Sequence, residues 1–459
     1  MDLETVRAWG RGDPQNDDLE VDAEPVDDEN VQKNSPFRDL LRKITDKARQ
    51  QNEMIAFVNT VGRDMPGIML ANGAVGDATE HGVKVESGDR YTIVALEPND
   101  VPAVTENIRN VATLVDGLSQ LPEAILLSIV GTFDSQMSDI VRTMLEVRPE
   151  KVKLSEKTMS LARILRAESI AELAEEAVTD EVYLFSRESH DIQVSYIEDK
   201  FDVDIKKDWK RWPDFIEVFE RRNLVAHGEK LFTKRYVDNC LNHGHKGSDS
   251  VLGMPIQVTI RYIRQCLSIL TECAILTTFS LWRKHVRNEE EDAFGFMVMV
   301  SFDLIKSRQY SLAAYVCEYA LSLKTKGRKE NVRLRLVVNL ASAHAHLDQR
   351  DAAEGVLDKE DWVATSDDFR ICVAALRRDV DEVIRLMPIT KASGNIDIES
   401  FRDWPVFDFV KKDKKFREAF EKNFGEIYKV KRRLRPARAA SLADHTDELS
   451  SVPENGILH

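Results

Sequence analysis

From Val101 nearly to Phe424 the apolar residues recur at intervals of three and four, the period that lines up one face of an α-helix. Strands demand alternation at a period of two, so a chain patterned this way over most of its length folds mainly into helices. With 459 residues and ~100 to 200 residues per domain, two to three domains are expected. Only 20 Gly and 14 Pro against 43% hydrophobic residues point the same way, to a compact body with few turns.

Shifts in composition suggest where the parts divide. Residues 1–36 form a predicted disordered acidic tail: the first thirty hold eleven acids and two bases, and 13–35 combine Asp, Glu, Asn and Pro with few large apolar groups. Residues 37–100 read as a small α/β cap region. A short helical pattern at 37–51 is followed by apolar runs at 68–70, 83–85 and 91–96, separated by Gly and Asp in the manner of short strands or an irregular segment. Residues 101–288 predict an antiparallel helical bundle, with helices near 102–118, 121–147, 157–185, 189–200, 212–227 and 254–287 and a loop over 239–253. Pro122 falls in the first turn of the second of these, where a missing N–H costs nothing. A charged break at 288–292 leads into helical repeats over 293–427, and 428–459 is a basic, then polar, tail.

The formal net charge is −15, from 64 basic and 79 acidic side chains, which excludes a general polyanion coat. No window is expected to approach the ~20 apolar residues that cross a bilayer, and the first residues lack the basic-then-apolar order of a secretory signal. A cytoplasmic protein without membrane contact is the expectation. Five cysteines without a CxxC pair are expected to be reduced and mostly buried. Cys240, His243 and His245 form at most a metal corner lacking a fourth ligand, and there is no HExxH, Walker A or GxGxxG sequence. Neither metal nor cofactor is expected.

The segment richest in chemistry runs from Trp212 to Gly228. Phe215, Val218, Phe219 and Val225 give it a buried stripe, while Glu220, Asn223 and His227 form a polar line at i, i+3, i+7. Nine bases (Lys206, Lys207, Lys210, Arg211, Arg221, Arg222, Lys230, Lys234 and Arg235) stand against five acids between 206 and 235, a local basic island in an acidic chain. Trp209 and Trp212 could stack on unpaired bases or belong to the core.

Arg222-Asn223-Leu224-Val225-Ala226-His227 resembles the Arg-x(4 to 6)-His motif of the HEPN superfamily, which sits late in a helical bundle and is often written Arg-Asn-x3-His. The resemblance covers roughly residues 102–287. It implies a metal-independent endoribonuclease, usually a dimer, with RNA as substrate. His227 would exchange a proton with the ribose 2′-OH or the leaving 5′ oxygen. Arg222 would hold the phosphate, and Asn223 would orient His227 or donate to the phosphate. Glu220, Arg221, Asp134 and Asp139 are supporting candidates, either aspartate being able to polarise His227. Because the nucleophile belongs to the substrate, DNA should be inert and the first product a 2′,3′-cyclic phosphate. Arg222 and His227 are five residues apart, so their directions differ by ~140° on an ideal helix. Either the helix unwinds before Gly228, or the Arg arm wraps around, or a second subunit completes the site, and a homodimer is the expectation. In HEPN toxins paired with a nucleotidyltransferase antitoxin a Tyr follows the His by two positions, where this chain has Glu229.

Leu340, Ala341, His344, Ala353 and Leu357 fall at offsets that resemble a tetratricopeptide repeat, and Ala313, Cys317 and Ala320 match the second helix of a preceding unit. The repeat's Trp and terminal Pro are absent. Stacked hairpins of this kind imply a concave face for a protein partner. By analogy with bacterial HEPN proteins, a toxin or antiphage defence effector is the implied setting. The alternative is a non-catalytic scaffold that binds RNA or protein.

Overall fold

The computed structural model describes residues 35–69, 82–87, 92–152, 164, 166–207, 209–325 and 327–428. The expected acidic tail, nearly all of the basic tail and the start of the helix predicted at 157–185 lie outside the described residues.

The described residues are mostly helical, with very little strand. Helix α1, Pro36–Met69, is far longer than the short element expected, and it takes in most of the apolar run at 68–70 that reads as strand-like. The other two runs do pair. β1, Gly82–Ser87, and β2, Thr92–Leu96, form an antiparallel hairpin with an irregular step between Lys84 and Glu86. Helix α2 is Val101–Ser119. Among the described residues, those from 56 to 121 make one compact unit, and those up to 55 group with 122–428 in another.

The larger unit begins its helical bundle with α3, Leu121–Val147, whose Ile125, Ile129, Phe133, Met137, Ile140 and Met144 are buried at helical spacing. Gln51 on α1 donates to the Thr132 hydroxyl at 3.0 Å. Next come α4, Ile170–Ser186, α5, His190–Phe201, α6, Trp212–Ala226, and α7, Lys234–Asn242. The loop expected over 239–253 is thus helical at its start and carries a short 3₁₀ turn at Ser248–Val251.

Helix α8, Ile260–His285, is buried without interruption from Ile269 to Trp282, so it has no solvent face over that stretch. It packs against α6 on the bundle side and against two helices of the C-terminal array, α9, Glu290–Lys306, and α10, Tyr310–Ser322. By length and composition α8 could cross a membrane, and so could the stretch Val101–Val147. The expectation that no window approaches that length is therefore too strict. In α8, 89% of the apolar window is packed inside the protein, because it is the helix that both halves of this unit share.

The array continues through α11, Glu330–His346, α12, Arg350–Leu357, α13, Asp367–Arg377, and α14, Val380–Ser393. It closes with α15, Ile398–Asp403, a 3₁₀ turn at Pro405–Phe409, and α16, Lys414–Phe424. α9 packs on α10 and α11, and α11 on α12 and α13, so each hairpin's first helix meets the first helix of the next. Ala313, Cys317, Ala320, Ala341, Ala353 and Leu357 are buried, the small ones letting helices approach closely. Three hairpins share one turn. Arg308, Asp348 and Arg378 adopt left-handed φ of 63°, 62° and 61°. The following N–H groups of Gln309, Gln349 and Asp379 donate back to the carbonyls of Leu304, His344 and Ala374 at 2.8, 2.9 and 2.9 Å, which satisfies carbonyls that a helix end leaves free.

Candidate functional site

Helix α6 carries the motif and starts where its sequence allows: Pro213 lies in the first turn and Asp214 favours its positive end. One side is sunk into the bundle. Phe215 and Phe219 meet edge to face at 4.9 Å, and both contact Phe133 of α3. The helix ends at Gly228, whose φ of +71° is open to glycine at no steric cost. Its N–H donates to Val225 O at 3.1 Å and that of Glu229 to Leu224 O at 3.0 Å, a glycine-capped end.

His227 is the capping residue of that end, with φ −90° and ψ 3°, outside helical geometry. It is exposed, and no hydrogen bond or ion pair ties its imidazole to another described residue. The helix thus runs to Ala226 and leaves helical geometry only at His227 and Gly228, a local departure of the kind that was one of the three alternatives the five-residue offset left open. Asn223 is half-buried, one turn before His227, and its carbonyl accepts from the His227 N–H at 3.0 Å.

The paired arginines part company. Arg221 turns inward, its Nε and Nη2 at 2.7 and 2.6 Å from Oε1 of the buried Glu217 and its Nη1 donating to Gln257 O at 3.0 Å. Its guanidinium lies over the Tyr262 ring at 4.0 Å. The hydroxyls of Tyr236 and Tyr262 also donate to Glu217, at 2.7 and 2.8 Å. Burial, and then the Glu217 charge, hold both phenols well above their ordinary values. Arg221 is thereby a structural clamp between α6, α7 and α8. Arg222 turns the other way, toward α3, with Nη2 at 4.0 Å from Asp134 Oδ2. Its Nε is buried without a hydrogen-bond partner.

Asp134 does not reach His227 through any hydrogen bond. Its Oδ1 is 2.7 Å from Nε2 of His190, the first residue of α5. The His190 ring stacks on Phe219, with centroids 3.4 Å apart and planes 10° from parallel. Asp134, His190, Phe219 and Arg222 therefore form one contiguous cluster drawn from α3, α5 and α6. Of the supporting candidates, Glu220 accepts from Asn239 at 3.2 Å, and Asp139 is exposed without an ion pair among the described residues.

The basic island is divided in the same way. Arg211 is committed to Glu272 at 3.0 Å and Ser268 at 3.2 Å, and Lys206 to Glu198 at 3.0 Å and Ser195 at 2.7 Å. Burial raises the Glu272 carboxyl above its ordinary value, outweighing the attraction of Arg211. Trp209 is buried and donates its indole N–H to the same Glu272, which makes it a core residue and removes it as a stacking surface. Trp212 is half-buried, stacked on Phe215 with Lys206 over its ring. Lys210, Lys230, Lys234 and Arg235 are exposed without an ion pair among the described residues; Lys207 is exposed and 4.0 Å from Asp204.

Around the proposed metal corner, Cys240 is fully buried, and burial pushes its thiol up to about 12. His243 meets Asn239 O at 2.9 Å, and His245 meets the Ser248 hydroxyl at 2.6 Å. Among the described residues no three His, Cys, Asp or Glu side chains converge as metal ligands would.

The residue that sequence reading passed over is His190. Its only local signal is its place beside Ser189 at the start of a helix, since its partner Asp134 is 56 positions away. No family model, curated protein or solved structure matches the chain.

Proposed function

We propose that the chain is a metal-independent endoribonuclease in which Arg222, Asn223 and His227 act on a phosphodiester of RNA. The observation that carries this reading is the contrast along α6: His227 is exposed with an unengaged imidazole, while Arg222, five residues earlier, turns toward α3 and stands 4.0 Å from Asp134, outside hydrogen-bond distance. An imidazole that titrates near neutrality can take the proton of a 2′-OH, and a guanidinium with spare N–H donors can bind the phosphate as its charge grows. Lys230, Lys234 and Arg235, exposed just past the motif, supply the attraction for a polyanion.

The supporting experiment is cleavage of RNA by purified protein in EDTA, with the same strand as DNA left intact. A homodimer that joins two motifs accompanies the reading, as does the role of a growth-arresting toxin or antiphage effector. The first is read by analytical ultracentrifugation and the second by growth arrest on expression that requires His227.

A second reading, a non-catalytic scaffold that binds RNA or protein, is favoured by one observation. The hairpin array repeats a left-handed turn and packs first helix on first helix, an arrangement that a partner protein could use without any chemistry. It predicts RNA or protein binding that survives His227→Ala and no cleavage at all.

A further inference from the structure

We infer that His190, held by Asp134, is a second catalytic residue, the general acid that protonates the leaving 5′ oxygen; this rests on the nuclease reading above. Cleavage by 2′-OH attack needs two proton transfers, one from the nucleophile and one to the leaving group, on opposite sides of the phosphorus. His227 can perform the first.

The cluster around Asp134 is arranged for the other. Asp134 Oδ1 meets His190 Nε2 at 2.7 Å, which fixes the ring and leaves Nδ1 as the nitrogen that can exchange a proton. Phe219 holds the ring from one face at 3.4 Å, and the side chain retains 14% exposure, so it is sheltered but reachable. No other hydrogen bond among the described residues occupies Nδ1. Position along α6 supplies the rest. Phe219 precedes Arg222 by three residues and His227 follows it by five, about 4.5 and 7.5 Å along the axis at ~1.5 Å per residue. Arg222 therefore stands on the stretch of α6 between the Phe219 position, on which the His190 ring stacks, and His227. Asp134 Oδ2, at 4.0 Å from Arg222, ties the acid to the phosphate binder.

In the step itself the 2′ oxygen forms a bond to phosphorus as the P–O5′ bond breaks. His227 accepts the 2′-OH proton, the electron pair of the broken bond goes to O5′, and His190 Nδ1–H gives its proton there. The products are a 2′,3′-cyclic phosphate and a 5′-hydroxyl. His190 regains a proton from water and His227 releases one, which closes the cycle.

The test compares RNA with uridine 3′-(4-nitrophenyl phosphate), whose leaving group departs without protonation. His190→Ala should slow RNA cleavage by about 10² to 10⁴-fold, the range of a positioned acid, while most of the rate on the aryl ester survives. His227→Ala should lose both. His190→Gln, which preserves a hydrogen-bond donor toward Asp134, should show the same split and covers a poorly folded Ala variant. Equal losses on the two substrates, or no loss on RNA, would overturn the assignment while leaving the nuclease reading in place. So would loss of the helical far-ultraviolet spectrum in both variants, which would make His190 a folding residue. Wild-type protein inert toward both substrates would overturn the nuclease reading and this assignment together.

Discussion

Arg222 Nη2 stands 4.0 Å from Asp134 Oδ2, an ion pair too long to be a hydrogen bond and therefore open to a better acceptor. Its neighbour Arg221 is engaged at 2.6 and 2.7 Å with the buried Glu217. The two should separate stability from activity. Arg222→Ala should cost under about 1 kcal/mol of stability, as loose, partly exposed pairs do, yet slow RNA cleavage by about 10² to 10³-fold. Arg221→Ala leaves a buried carboxylate without its cation and should cost about 3 kcal/mol. Urea denaturation beside a cleavage assay checks both, and the reverse pattern would place the phosphate on Arg221.

RNA affinity should depend on the exposed bases and not on the committed ones. Replacing Lys230, Lys234 and Arg235 by Ala should flatten the plot of log affinity against log salt by up to about 2, at ~0.7 per contact with a single strand. Replacing Arg211, whose guanidinium is bound to Glu272, should leave that slope unchanged. Titration of a noncleavable 2′-deoxy oligonucleotide at several salt concentrations gives the slope.

Glu272 gives the fold a pH dependence of known sign. Burial raises its carboxyl, so the folded state keeps the proton to a higher pH than the unfolded chain does. The stability that follows is fully present below the ordinary carboxyl range and is lost as pH rises through the raised folded value. Glu272→Gln removes the titration. Denaturation at pH 4 and pH 8, which brackets the ordinary carboxyl range and the rise above it, should therefore show wild type losing more stability over that interval than the variant, and an equal or smaller loss would contradict the assignment.

Much of the architecture was legible because helix signals are local. The end of α6 at Gly228 and the span of α3 follow from a terminal glycine, an early proline and an apolar period, all visible within a few residues. The motif's geometry was legible only in part, since the five-residue offset left unwinding, a wrapped Arg arm or a second subunit open, and the capping geometry at His227 is a departure of the first kind. What escaped depends on partners distant in sequence. Arg221 reads as a supporting candidate beside Arg222 until Glu217 and Tyr262 are seen to claim it. For Trp209 the sequence offered a stacking surface or a core place, and the choice is made by Glu272, 63 positions on, which binds its N–H in the interior. The shared turn of the hairpins escaped because its left-handed positions hold Arg308, Asp348 and Arg378, where glycine would have marked them.

Those turns carry their own expectation. A non-glycine residue in the left-handed region costs roughly 1 to 2 kcal/mol, part of which glycine returns to the unfolded chain as entropy. Asp348→Gly should thus stabilise the protein by about 0.5 to 1 kcal/mol, while Asp348→Val should destabilise it by at least as much. Thermal unfolding of the two variants reads the difference, and a Val variant as stable as the Gly one would refute the turn.

The most direct test is the chemical nature of the RNA ends produced in EDTA by wild type and by His227→Ala. The account predicts 2′,3′-cyclic phosphate and 5′-hydroxyl termini from wild type and none from the variant, whose helical spectrum and melting temperature remain close to wild type. Cleavage by His227→Ala at the wild-type rate, or products bearing 5′-phosphate, would contradict it.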